Sequence, residues 1–166
     1  REDLMKILLK DIPQADKLED VIKVASTVAR GLKTYQKIAN EIEKVERQGR
    51  YYRRAAEILG FIRKRGTNLS ELTPNGKKFF SASEREKADL LTQAVLRASI
   101  FQRVIPFLES TLPNGCSRNS LESFLADVTE KSTPTLFHRR VSTIVAWLQT
   151  IGMIEERNGN YVLNTL

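Results

Sequence analysis

Residues 48–66 read QGRYYRRAAEILGFIRKRG, and the way this stretch sorts decides the fold. At about 100° per residue, a helix over 50–59 gathers Tyr52, Ala55, Ala56 and Leu59 on one side. Arg47, Arg50, Arg54 and Glu57 fall opposite, with Tyr51 and Arg53 on the flanks. Gly60 follows the last periodic residue, where a helix can close in a left-handed turn. Phe61-Ile62 then reads as strand, and Arg63-Lys64-Arg65-Gly66 as a basic hairpin nearing its tip. One side of this segment suits a core, the other water or a polyanion.

Upstream, Pro13 separates an amphipathic segment (Leu4, Ile7, Leu8) from a helix running to about Arg30. Asp16 is its expected N-cap, with Glu19 completing a capping box. Leu18, Val21, Ile22, Val24, Ala25 and Val28 form its inward stripe. Thr34 caps a second helix over 35–44, which buries Ile38, Ala39 and Ile42, and 45–49 is a turn. Beyond the basic tip, 66–68 turns the chain and 69–72 is the returning strand. Pro74 opens a short helix through Phe80, and Ser83 a longer one over 84–98. Helix, helix, turn, helix, hairpin is the order of a winged helix-turn-helix. There the third helix enters the major groove and the hairpin rides the phosphates.

The second half repeats this order at an offset of 92. Leu59-Gly60-Phe61-Ile62 aligns with Ile151-Gly152-Met153-Ile154. The inward set becomes Ile144, Trp147, Leu148 and Ile151, all apolar. The outward set Arg47, Arg50, Tyr51, Arg54 becomes Arg139, Ser142, Thr143, Ala146. Ser120 is the expected cap of a helix to about Thr129, and a strong helix follows over 136–151. Asn158-Gly159 between apolar pairs marks a second hairpin. Pro106 is expected to kink or start the helix before the Leu112-Pro113-Asn114-Gly115 turn. The expected fold class is mainly α with short β-hairpin wings, two winged helix-turn-helix units in tandem. The expected divisions are an N-terminal segment 1–10, units 11–82 and 99–166, and a connecting helix over 83–98.

Composition agrees with a partner of opposite charge. The net charge is +7, and residues 113–166 contribute none of it, with five basic against five acidic residues. Residues 44–65 hold eight basic and two acidic. A folded basic cluster suggests a polyanion partner, usually nucleic acid; a solvated charged face is the plainer alternative. One cysteine excludes an internal disulfide and fits a reducing compartment, expected to be the cytoplasm. No apolar run reaches membrane-spanning length, and no secretory signal opens the chain. The start at Arg1 raises the expectation of a fragment whose partner domain lies elsewhere.

Ile12-Pro13-Gln14-Ala15-Asp16, Tyr51-Tyr52-Arg53-Arg54-Ala55-Ala56-Glu57-Ile58-Leu59-Gly60 and Leu72-Thr73-Pro74-Asn75-Gly76 occur in this order. Together they resemble the winged-helix regions of prokaryotic DNA-binding proteins. These include the recognition parts of type II restriction endonucleases, where such domains are often doubled. The resemblance covers about residues 12–80, and the second half only through the repeat. It implies sequence-specific binding of double-stranded DNA, with cleavage by a separate, covalently linked nuclease domain of a restriction system.

The chemistry of a free-standing enzyme is missing from the pattern. Glu41-Ile42-Glu43-Lys44 and Glu84-Arg85-Glu86-Lys87 fall on helices, not on the strands a metal-dependent nuclease uses. There is no phosphate-cradling glycine loop, and one Cys with one His cannot make a zinc site. Neither metal nor cofactor is expected. Cys116 reads as a turn or core residue rather than a nucleophile paired with His138. For DNA, Arg50 and Arg54 are the first candidates for base edges, since arginine pairs bidentately with guanine. Arg47, Gln48, Tyr51 and Arg53 follow, though Tyr51 could equally pack in the core, as Tyr52 is expected to. Arg63, Lys64 and Arg65 in the wing, and Lys33, Thr34, Tyr35 and Lys37 at the second helix, are expected phosphate contacts. In the second unit the candidates are His138, Arg139, Arg140, Ser142 and Thr143, His138 being as consistent with simple exposure. About five to eight phosphate contacts would give useful sequence-blind binding.

Two other functions fit the same fold. A winged-helix transcriptional regulator would dimerise, and the helix over 84–98 carries an apolar stripe that serves dimerisation or packing. A protein-interaction winged helix would use the neutral second unit.

Overall fold

The computed structural model describes residues 5–31, 34–44, 46–130 and 135–164. Leu4, Lys33, Val45 and residues 131–134 lie outside the described residues. Among those described, eight α-helices and two antiparallel hairpins make a mainly helical protein. The chain divides into two compact units, Pro13–Arg97 and Ala98–Leu166 together with Arg1–Ile12.

In the unit of 13–97, α1 (Leu18–Ala29), α2 (Tyr35–Glu41) and α3 (Glu46–Ile58) precede a hairpin of β1 (Ile62–Lys64) and β2 (Ser70–Leu72). α4 (Pro74–Ser81) and α5 (Glu84–Arg97) follow, packed on each other. The core joins Leu18, Val21, Val24, Ala25 and Val28 of α1 to Ile38, Ala39, Tyr52, Ala55, Ala56 and Leu59. Phe61 and Phe79 stack at 4.7 Å between centroids, which seats α4 against the hairpin base. Ile22 is only half-buried. α1 starts one residue later than an Asp16 cap requires, because Lys17 holds the N-cap position without a side-chain bond. Thr34 does cap α2, accepting from the Lys37 amide at 3.2 Å. Ser83 and Glu86 form a capping box ahead of α5, and the two Ser83 bonds hold the Glu86 carboxyl below its ordinary range.

α3 is longer than the sequence suggests, and it begins inside the expected turn. Gly49 makes this possible. A Cβ there would stand 2.5 Å from the Ala39 Cβ and 2.7 Å from the Tyr35 carbonyl, so α2 and α3 cross where a side chain cannot fit. The true turn is earlier, at Ile42–Lys44, with Glu43 at φ 58°. Lys44, counted by sequence within the basic cluster, turns inward to Asp20 at 3.4 Å and lies over the Tyr52 ring.

In the other unit, α6 (Ser99–Ser110), α7 (Arg118–Val128) and α8 (Thr135–Thr150) precede a hairpin of β3 (Ile154–Arg157) and β4 (Asn160–Leu163). Its core gathers Phe101, Val104, Leu108, Leu121, Leu125, Val141, Ile144, Trp147 and Leu148. Pro106 lies inside a continuous α6. α7 is capped by Ser117, three residues before the expected cap, and the Ser120 amide donates to that hydroxyl. Cys116 pairs its backbone with Tyr161, adding a one-residue third rung beside the hairpin. Asn158 and Gly159 turn the hairpin with φ of 52° and 80°, the two left-handed residues a type I′ turn requires.

The expected divisions at 10, 82 and 98 differ from these units in two places. α5 belongs with 13–97 because it packs on α4. The N-terminal segment belongs with 98–166 because Ile7 bridges Thr129, its amide donating to the Val128 carbonyl at 2.7 Å.

The offset of 92 reappears in hydrogen bonds. At the end of α3 the Gly60 amide donates to the Glu57 carbonyl and the Phe61 amide to Ala56. At the end of α8 the Gly152 amide donates to Gln149 and the Met153 amide to Leu148. Both are Schellman closures around a left-handed glycine, with φ of 81° and 76°. Each is then locked by the residue just after the far strand: the Thr73 hydroxyl donates to the Gly60 carbonyl, and Asn164 Nδ2 to the Gly152 carbonyl at 2.8 Å. The same lock therefore fixes each hairpin to the helix before it.

Candidate nucleic-acid interface

The basic face of the unit of 13–97 is set by α3, the start of α2 and the β1–β2 hairpin. Tyr52, Ala55, Ala56 and Leu59 face the core, which leaves Arg47 and Arg50 exposed and Gln48, Tyr51, Arg53 and Arg54 half-buried. Lys37 at the start of α2 and Arg63, Lys64 and Arg65 on the hairpin are exposed. Thr34 spends its hydroxyl as the α2 cap.

The arginines of α3, alike in sequence, differ in what they touch. Arg54 pairs with Glu57 at 2.9 Å, so its charge is largely offset locally. Arg53 donates to Asn68 Oδ1 at 2.7 Å, and burial lowers its pKa, with Glu57 acting in the opposite direction. Arg50 donates to the Tyr35 hydroxyl at 2.6 Å, its guanidinium 4.3 Å from the ring centroid. On the hairpin, Arg63 pairs across the strands with Glu71 at 2.7 Å, and Arg65 reaches the same carboxylate at 3.8 Å.

Tyr35, Gln36 and Asn68 form the junction of this face, and of these only Tyr35 was singled out by sequence. Asn68 sits at the hairpin turn with φ 60°. Its Oδ1 also accepts from the Tyr35 amide at 3.1 Å, and its Nδ2 donates to Gln36 Oε1 at 2.9 Å. An asparagine in a Gly-Thr-Asn turn is the signal available in sequence, but it names no partner.

In the unit of 98–166 the candidates separate. His138 and Arg139 are exposed and Ser142 is half-buried. Thr143 is fully buried and Arg140 is only 9% exposed, so neither side chain is displayed to a duplex. The inward face of α8 is wide: Phe137, Val141, Ile144, Val145, Trp147 and Leu148 are all buried, and positions 140 and 143 fall inside that arc. Arg118, not anticipated, ties α7 to α8 by donating to Glu122, the His138 carbonyl and the Ser142 hydroxyl. His138 Nδ1 lies 3.4 Å from Glu122.

The hairpins carry opposite charge at two of three aligned positions. Arg63, Lys64 and Arg65 correspond to Glu155, Glu156 and Arg157, all exposed. Counted by compact unit, 13–97 holds 18 basic and 11 acidic residues, and the remainder holds nine of each. The whole net charge of the chain therefore resides in one unit.

Cys116 is buried, and burial pushes its thiol pKa up, the condition of an inert core thiol. Among the described residues, no three His, Cys, Asp or Glu gather as metal ligands, and no helix is long and apolar enough to cross a membrane.

A mainly helical protein of two hairpin-bearing units, basic in one, is the class these features define. The chain belongs to the family described as a domain of unknown function (DUF7226), whose model matches residues 20–156. No curated protein and no solved structure matches it.

Proposed function

We propose that this chain is a sequence-specific double-stranded DNA recognition domain, built of two winged helix-turn-helix units in tandem. In this reading α3 is the recognition helix and the β1–β2 hairpin its wing. The domain serves a prokaryotic restriction-type endonuclease of the cytoplasm, and a linked nuclease domain cuts. The observation that carries it is the exposed basic surface of Lys37, Arg47, Arg50, Lys64 and Arg65, spread over the start of α2, α3 and the hairpin that follows. A merely solvated face would scatter its charge over both units; here the excess lies in one. The repeated helix-to-hairpin lock supports the tandem reading. The unit of 98–166 takes the smaller share of the grip, through His138, Arg139 and Ser142, because Glu155 and Glu156 repel phosphate.

The test is the double substitution Arg47→Ala with Arg50→Ala, which leaves the Arg54–Glu57 pair intact. Duplex affinity should fall at least about tenfold with the melting temperature within a degree or two, since neither side chain supports the core. Affinity equal to that of the parent chain would refute the reading.

A further inference from the structure

An exposed arginine samples many rotamers, and fixing one on a base costs entropy. Arg50 is exposed but not loose. Its guanidinium stacks 4.3 Å from the Tyr35 ring centroid and donates to the Tyr35 hydroxyl. That bond uses one of five N–H donors and leaves the others for an acceptor pair. Tyr35 is held in turn, its amide donating to Asn68 Oδ1, the oxygen that also receives Arg53. The Arg53 guanidinium lies 5.3 Å from the centroid of the same Tyr35 ring, and Arg53 is half-buried. The chain of contacts runs from hairpin turn to α2 to α3 within one unit, so the turn and the exposed guanidinium are mechanically linked.

Resting on the DNA reading above, we infer that Tyr35 is a positioning residue that presets Arg50 for the paired acceptors of guanine, while Arg53 with Asn68 braces the hairpin rather than reading bases. Tyr35 then governs sequence discrimination more than overall affinity. A phosphate-contacting Tyr35, the sequence expectation, would do the reverse: its loss would weaken all duplexes alike.

The experiment selects preferred duplexes from a randomised pool with the parent chain, then replaces each guanine in turn by 7-deazaguanine, which lacks the N7 acceptor. The parent chain should lose about tenfold in affinity at one guanine or more. Tyr35→Phe keeps the ring but drops the hydroxyl bond, and should shrink that penalty several-fold with the salt dependence unchanged. Asn68→Gly, which suits the left-handed backbone, should shrink it in the same direction. A full penalty in Tyr35→Phe, or a uniform loss across all sequences, would overturn the inference and leave the DNA reading standing. No retained duplex for the parent chain would overturn both.

Discussion

A single missing side chain places α3. Gly49 lets the helix run through what its sequence marks as a turn, because α2 passes too close for a Cβ. Gly49→Ala should cost about 1–3 kcal/mol by overpacking, read as a lowered denaturant midpoint with unchanged slope. A midpoint within error of the parent would mean the helices part freely. Residue roles were the least legible feature of the sequence. Periodicity puts Arg50, Arg54 and Glu57 on one outward side and so allows the Arg54–Glu57 pair at i,i+3, but it cannot see that Tyr35, 15 residues away, takes Arg50. Asn68 meets Arg53 from 15 residues away, and no local pattern encodes such a contact. Thr143 was transferred by offset and Arg140 chosen as the neighbour of Arg139, and neither step carries information on how wide the core beneath a helix is.

Elements were more legible, because their signals are local. The Leu-Gly and Ile-Gly junctions, the Asn-Gly turn and the alternation of apolar pairs all reappear as helix ends and paired strands. Starts of helices were less legible where several cap residues compete, as at Ser117 and Ser120. The shared closure yields a paired expectation. Gly60→Ala and Gly152→Ala each place a Cβ on left-handed backbone, at a cost of about 1–2 kcal/mol. Hydrogen exchange should show the loss in the hairpin that follows each substitution. Faster exchange in only one of the two would mean the junctions are not equivalent.

At the scale of the whole molecule, the sequence shows a charge excess but not its container. The compact units place all of it within 13–97 and leave the rest neutral. Division of the chain depended on long-range contacts, Ile7 with Thr129 above all, which lie beyond any window of periodicity. If the basic face meets a duplex through Lys37, Arg47, Arg50, Lys64 and Arg65, those cations displace condensed counterions, and salt must oppose binding steeply. The most direct measurement is the affinity of the intact chain for duplex DNA, titrated by fluorescence anisotropy between about 50 and 200 mM salt. The account predicts a linear fall of log affinity on log salt with slope about −4.5. No retention of any duplex even at the lowest salt, or retention indifferent to salt, would contradict it.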